Sequence, residues 1–282
     1  MSSINEINWF PGHMKKAIDN VVKKLQQCDG VIEIGDSRAP FSSFPDYLDK
    51  ITKDKLKIYV FSKADLVDPI LLEKQLEEYR KKGIIPFAID LRNPNSSKEM
   101  LKYLSQVKTK QDEKYQKLGF PLPNKTFMVL GIPNVGKSTF INSLAKKKKA
   151  AVENRPGKTR AQQLIKVSDK VYIYDVPGIL EPNYENKETI AKLALLGSIK
   201  MEILPLIPLT DYLLDILKER YPQLLIDRYQ VDLSLDNASI FNAIAINRKY
   251  MNSGNNVDDE RARITLLKEF RDGTIGKISL DD

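Results

Sequence analysis

Gly131-Ile132-Pro133-Asn134-Val135-Gly136-Lys137-Ser138 is the stretch that decides the fold. Its G-x-x-x-x-G-K-S form is that of a phosphate loop, which requires a strand before it and a helix after it. Thr126-Phe127-Met128-Val129-Leu130 reads as that strand, and a helix opens at Lys137. In such a loop backbone N–H groups converge on the β-phosphate, Lys137 reaches the β and γ oxygens, and the Ser138 hydroxyl binds magnesium. Asn134, Val135, Gly136, Lys137, Ser138 and Thr139 are assigned to the phosphates on this basis.

Working outward, Tyr174-Asp175-Val176-Pro177-Gly178 ends a second strand in Asp-x-x-Gly. There Asp175 would hold magnesium through water and the Gly178 N–H would touch the γ-phosphate. Between the two motifs lies Arg155-Pro156-Gly157-Lys158-Thr159-Arg160, whose Thr159 could close over the metal in the triphosphate state. A phosphate loop is blind to the base. The base reader expected for guanine is Asn/Thr-Lys-x-Asp, and Ser62-Lys63-Ala64-Asp65 supplies a version of it upstream of the phosphate loop. Asp65 would accept from guanine N1–H and the 2-amino group, which adenine cannot offer, and the Lys63 stem would lie over the ring. Ser62 keeps a hydroxyl but shortens the reach. Asp90-Leu91, ending the next strand, falls where backbone N–H groups would meet the base oxygen.

The chain around these motifs alternates strand and helix, which favours a parallel α/β sheet. Helical spacing runs over Lys15–Gln27, Ile70–Lys82 and Ser97–Lys117, and strands over Gly30–Gly35, Lys57–Phe61 and Ile84–Ile89. Leu118–Lys125, with two prolines and a glycine, reads as a linker, and Gln163–Val167 with Lys170–Tyr174 as a hairpin. After about Pro182 strand signals fade. Helical stretches near Thr210–Arg220, Ala238–Tyr250 and Asp258–Arg271 predict a second, all-helical domain over 183–282, following a nucleotide-binding domain over 1–182. Leu213, Leu214 and Leu217 form its apolar stripe, and Arg261, Arg263, Lys268 and Arg271 make its last helix partly basic, the ordinary reading of which is a solvated face.

Composition narrows the classes. The chain has 282 residues, 42% of them hydrophobic, enough for one large or two modest cores. One cysteine, Cys28, excludes an internal disulfide and a cysteine-rich zinc module. No apolar run reaches the roughly 18 to 20 residues that span a bilayer, and the N-terminus has no basic region followed by a hydrophobic one, so the expected location is the cytoplasm, without membrane contact. A formal net charge of +8 predicts attraction to polyanions, nucleic acid first among them.

Base reader, second base loop, phosphate loop, switch threonine and Asp-x-x-Gly appear here in the order of a circularly permuted GTPase. With Asn8-Trp9-Phe10-Pro11-Gly12-His13-Met14 and Asp36-Ser37-Arg38-Ala39-Pro40, the chain resembles the ribosome biogenesis GTPase A (YlqF/RbgA) family of bacteria, closely from Trp9 to about Pro182. The resemblance implies a Ras-like P-loop GTPase domain, GTP hydrolysis during late assembly of the large (50S) ribosomal subunit, stimulation by that subunit, and a helical tail that touches ribosomal RNA; a monomer is the working expectation, which the sequence itself does not reveal. Ile179 stands where many relatives of the Ras type carry a water-positioning glutamine, so the catalytic group must come from elsewhere. The resemblance implies His13, the single histidine, which could orient water or stabilise charge. Asn134 resembles the asparagine by which potassium-stimulated GTPases hold potassium beside the phosphates, where that ion supplies charge in place of an arginine finger. A permuted GTPase of the small subunit and a GTP-gated RNA-binding adaptor with little hydrolysis are the competing readings. The first would carry a nucleic-acid-binding barrel or zinc module, neither of which is visible in the sequence.

Overall fold

The computed structural model describes residues 15–145, 163–180, 184, 186–200, 204–254 and 256–281. They form two compact units, one reaching from Lys15 to Leu180 and taking in Asp281, the other running from Tyr184 to Leu280.

The first unit is built on a six-stranded sheet of β1 (Gly30–Asp36), β2 (Leu56–Ser62), β3 (Pro86–Ile89), β4 (Lys125–Leu130), β5 (Gln163–Lys166) and β6 (Val171–Asp175), in the order β3-β2-β1-β4-β6-β5. β1 to β4 and β6 run parallel, while β5 pairs antiparallel with β6 as the hairpin predicted. β1 is central and buried along its whole length, as the unbroken apolar run of a doubly covered parallel strand requires. Helix α1 (Lys15–Leu25) lays Ile18, Val21 and Leu25 against Val31, Met128 and Leu130. A short helix α2 (Asp46–Thr52), unmarked in the sequence, follows β1. Helix α3 (Pro69–Lys81) starts where the Asp68 carboxylate accepts from the Ile70 and Leu71 N–H groups, and it covers Tyr59 and Phe61.

The long helix expected over Ser97–Lys117 is two, α4 (Pro94–Gln106) and α5 (Lys110–Lys117). The break has a clear cause. Thr109 Oγ1 accepts from the Asp112 N–H at 3.2 Å while the Asp112 carboxylate accepts from the Thr109 N–H at 3.0 Å, a reciprocal cap that starts a new helix. Asp112 is also paired with Lys125 of β4 at 3.2 Å, a partner that helical periodicity cannot reveal.

Connections place every parallel strand's C-terminus on one edge, where ligands bind in open α/β sheets. Asp36, Ser62, Ile89, Leu130 and Asp175 end their strands there. Helix α6 (Lys137–Leu144) begins on this edge with Gly136 as its N-cap.

The second unit contains α7 (Lys187–Leu195), α8 (Leu206–Arg220), α9 (Pro222–Tyr229), α10 (Asn237–Asn247) and α11 (Asp259–Asp272). Leu213, Leu214 and Leu217 are buried, together with Phe241, Ile244, Leu266 and Phe270. The basic reading of α11 needs correction at two positions. Arg263 is buried, donates to Thr210 Oγ1 at 2.8 Å and Asp211 Oδ1 at 2.7 Å, and lies 4.0 Å from the centre of the Phe241 ring. Arg271 donates to the Ala194 and Leu195 carbonyls at 2.7 and 2.9 Å, closing the end of α7. Arg261 stacks on Tyr250, and only Lys268 and Arg261 of the four are exposed. Among the described residues no helix is long and apolar enough to cross a membrane.

Candidate nucleotide site

The phosphate loop bends tightly over β1. Gly131 has φ +146°, and a Cβ there would meet the Ile34 carbonyl oxygen at 2.2 Å, so only glycine fits. Gly178 is equally constrained, since an added Cβ would lie 2.7 Å from the Pro133 backbone. This close approach sets the Asp-x-x-Gly turn directly against the phosphate loop, and the Ile179 N–H donates to the Gly131 carbonyl at 3.1 Å.

Lys137 is buried, its Nζ donating to the Gly131 and Ile132 carbonyls at 3.1 and 2.7 Å. Burial lowers its pKa to about 8, against the attraction of Asp175. Asp175 is pushed upward by burial, with Lys137 opposing. Its Oδ1 is buried and has no hydrogen-bond partner among the described residues, an expensive state for a carboxylate oxygen. Ser138 and Thr139 follow on the first turn of α6, both half-buried. Ile179 packs into the core with Val176, Ile18 and Val21, so its side chain lies away from any water-positioning role.

The Ser62-Lys63-Ala64-Asp65 segment lies beside this loop. Ser62 is fully buried, and its hydroxyl donates to the Val135 carbonyl at 2.6 Å, with the Gly35 carbonyl at 2.9 Å. Its work is to tie the end of β2 to the phosphate loop. Lys63 has the left-handed φ of +58°, and Ala64–Leu66 forms a 3-10 turn behind it. Lys63 Nζ donates to Asp36 Oδ2 at 2.7 Å and to the Asn134 carbonyl at 3.1 Å. Asn134 itself is exposed, with φ +61°. Asp65 Oδ2 lies 2.5 Å from Arg92 Nη2, a partner invisible to motif reading. Asp90 Oδ1 accepts from the Arg92 N–H at 2.9 Å, turning the chain after β3, and Leu91 Cδ1 would stand 3.3 Å from a Cβ on Gly136. Ser62, Lys63, Ala64, Asp65, Asp90 and Leu91 are thus gathered beside Asn134, Val135, Gly136 and Lys137, while His13 and Thr159 lie outside the described residues.

Fold and site together define a P-loop GTPase whose motifs run in circularly permuted order. A family model described as "50S ribosome-binding GTPase" matches residues 126–227. Ribosome biogenesis GTPase A of Priestia megaterium is 37% identical over 278 residues, covering 98% of this chain and 96% of the relative. The protein of the same name from Bacillus cereus is 37% identical over 279 residues, covering 98% and 93%. The crystal structure of GNP-bound YlqF from T. maritima superposes with a TM-score of 0.66 at 26% identity, covering 94% of this chain and 97% of that one. The chain belongs to the ribosome biogenesis GTPase A family, and it binds and hydrolyses GTP.

Proposed function

We propose that this GTPase acts in ribosome assembly, in late maturation of the large (50S) subunit, and that the subunit stimulates its hydrolysis. The observation that carries the reading is Ile179. The residue after Gly178 is buried in the core, so the described part of the site binds phosphate without a side chain there to place the attacking water. A GTPase built this way needs a further group brought into position by its substrate particle. His13 is that group in our reading, orienting water or stabilising developing charge. The description of the matching family model and the names of the relatives support the ribosomal partner and the large subunit. A net charge of +8 supports attraction to ribosomal RNA, but over 183–282 the 16 Asp and Glu outnumber the 13 Lys and Arg, so the excess positive charge lies in residues 1–182. The RNA contact of the helical domain rests on the family resemblance and not on its charge.

Magnesium fits the residues present. The buried, unpartnered Asp175 Oδ1 and the half-buried Ser138 at the start of α6 are oxygen donors of the kind this ion takes, and Thr159 would complete the set. When bound, the ion neutralises charge on the β and γ oxygens. Around it Lys137 holds the same oxygens, Gly178 offers its N–H to the γ-phosphate, and Asp65 with Lys63 selects guanine. Potassium beside Asn134 would add positive charge where an arginine finger is missing.

Sedimentation of the protein with separated ribosomal subunits, in GDP and in a non-hydrolysable GTP analogue, tests the partner. Binding to the large subunit that strengthens with the analogue is expected, and equal binding in both states or preference for the small subunit refutes it. Single-turnover hydrolysis should be slow alone and rise with large subunits. If His13→Ala keeps that rise, the role given to His13 is wrong.

A further inference from the structure

Asp36-Ser37-Arg38-Ala39-Pro40 includes none of the residues assigned above to the phosphates, yet it holds two of the most deeply buried charges in the unit. Asp36 ends β1 fully buried, and Arg38 is 1% exposed. Arg38 Nε and Nη2 donate to the two carboxylate oxygens at 3.0 and 2.8 Å, and its backbone N–H donates to Oδ1 at 3.1 Å. Placing such a pair in the interior is costly and by itself adds little stability over apolar packing. The pair is not self-contained, however, because Asp36 Oδ2 also accepts from Lys63 Nζ at 2.7 Å.

That third contact fixes a side chain which is otherwise among the most mobile. Lys63 is held at its backbone by the left-handed turn and at its far end by Asp36 and the Asn134 carbonyl, so its stem is stretched between the end of β2 and the phosphate loop. Burial alone would favour a protonated Asp36, which would loosen its hold on an ammonium group. Arg38 and Lys63 instead hold the carboxyl well below the usual carboxylate range.

We propose that Asp36 and Arg38 are positioning residues for guanine binding: Arg38 holds Asp36, and Asp36 anchors the Lys63 ammonium so that the Lys63 stem forms a preset wall of the base slot. This rests on Lys63 and Asp65 being the guanine readers. Selectivity for the base then depends on a charge relay buried under it as well as on the residues that touch it.

The test measures affinity of the full chain for mant-GDP with magnesium, and in parallel for magnesium tripolyphosphate by calorimetry, in Lys63→Ala, Asp36→Asn and the double variant. We expect each single change to weaken mant-GDP by roughly tenfold, the double to be no weaker than Lys63→Ala, and tripolyphosphate affinity to stay within about twofold. If Asp36→Asn does not fold, Asp36→Glu keeps the charge Arg38 requires while moving the anchor by one methylene, and it should show the same selective loss. Multiplicative effects, equal loss of tripolyphosphate, or full GDP affinity with Asp36 changed would overturn the inference. If Lys63→Ala itself leaves GDP affinity intact, the guanine-reader assignment fails first. If Lys63→Ala weakens GDP and the Asp36 variants do not, only the positioning role fails.

Discussion

In the helical unit Arg263, Glu269 and Arg271 are charges drawn inward, and each meets protein groups that answer it. Arg263 reaches Thr210 and Asp211, Arg271 caps two carbonyls, and Glu269 accepts from Arg228 at 2.6 and 2.9 Å and from the Tyr229 hydroxyl at 2.8 Å. Burial pushes the Glu269 carboxyl up, but those donors hold it below its usual range. In the GTPase unit Lys137 rests on carbonyls of its own loop, and Asp175 keeps a buried oxygen with no hydrogen-bond partner among the described residues. The contrast separates two uses of buried charge. Where every charge is matched by protein, it closes the fold; where one is left over, the fold has been shaped around something else.

Changing Lys137 tests this contrast most severely. Lys137→Ala should lower single-turnover GTP hydrolysis by about 100-fold to 1,000-fold, the scale on which a preorganised electrostatic contact acts. Its ammonium bonds the Gly131 and Ile132 carbonyls of its own loop, so the thermal midpoint should change far less than hydrolysis does. A large drop in midpoint would place Lys137 with the structural charges. Arg263→Ala is the mirror experiment. Removing it leaves Asp211 and Thr210 without their buried donor, so urea denaturation should show a loss of about 3 kcal/mol or more, with unstimulated hydrolysis unchanged. Unchanged stability would mean that the buried charge in the helical unit is not there to close the fold.

Glu33 is an intermediate case, buried in the middle of β1 and close to Thr52 Oγ1 at 2.9 Å. Burial raises its pKa to about 7, against that hydrogen bond. A folded-state pKa above the unfolded one means the native chain binds the extra proton, so stability is highest at low pH and falls as pH rises from about 4.5 to about 7. Glu33→Gln should remove that slope and raise stability at pH 8 by about 3 kcal/mol. Denaturation curves at pH 5 and pH 8 that stay parallel to wild type would show that Glu33 is ionised in the fold.

Much of this unit was legible in the sequence because its decisive features are local. Gly131 and Gly178 mark backbone approaches that no other residue tolerates, and Asp65 stands one short loop beyond an apolar strand. What was not legible depends on partners far along the chain. The break at Thr109 is reinforced by Lys125, the inward turn of Arg263 by Thr210 and Asp211, and the burial of Ser62 by Val135. Charge pattern in α11 predicted a solvated face, and packing against Phe241 overrode it at Arg263. Arg92 escaped notice for the same reason, since nothing in its neighbours announces Asp65.

Arg92 gives the smallest effect and the finest cut through the comparison. Its side chain is 73% exposed, and Asp65 is 18% exposed. An ion pair with one end in water contributes little, and less still in salt. If Asp65 belongs with the charges shaped around a ligand, Arg92 is a loose companion that guanine can displace or share. Arg92→Ala should then change GDP affinity by no more than about threefold and leave the unfolding midpoint unchanged. A tenfold loss of GDP affinity would instead make Arg92 part of the base reader, orienting the Asp65 carboxylate as Asp36 anchors Lys63. Repeating the titration at high salt separates the two, because a displaceable surface pair fades with screening and a preset contact inside the bound state does not.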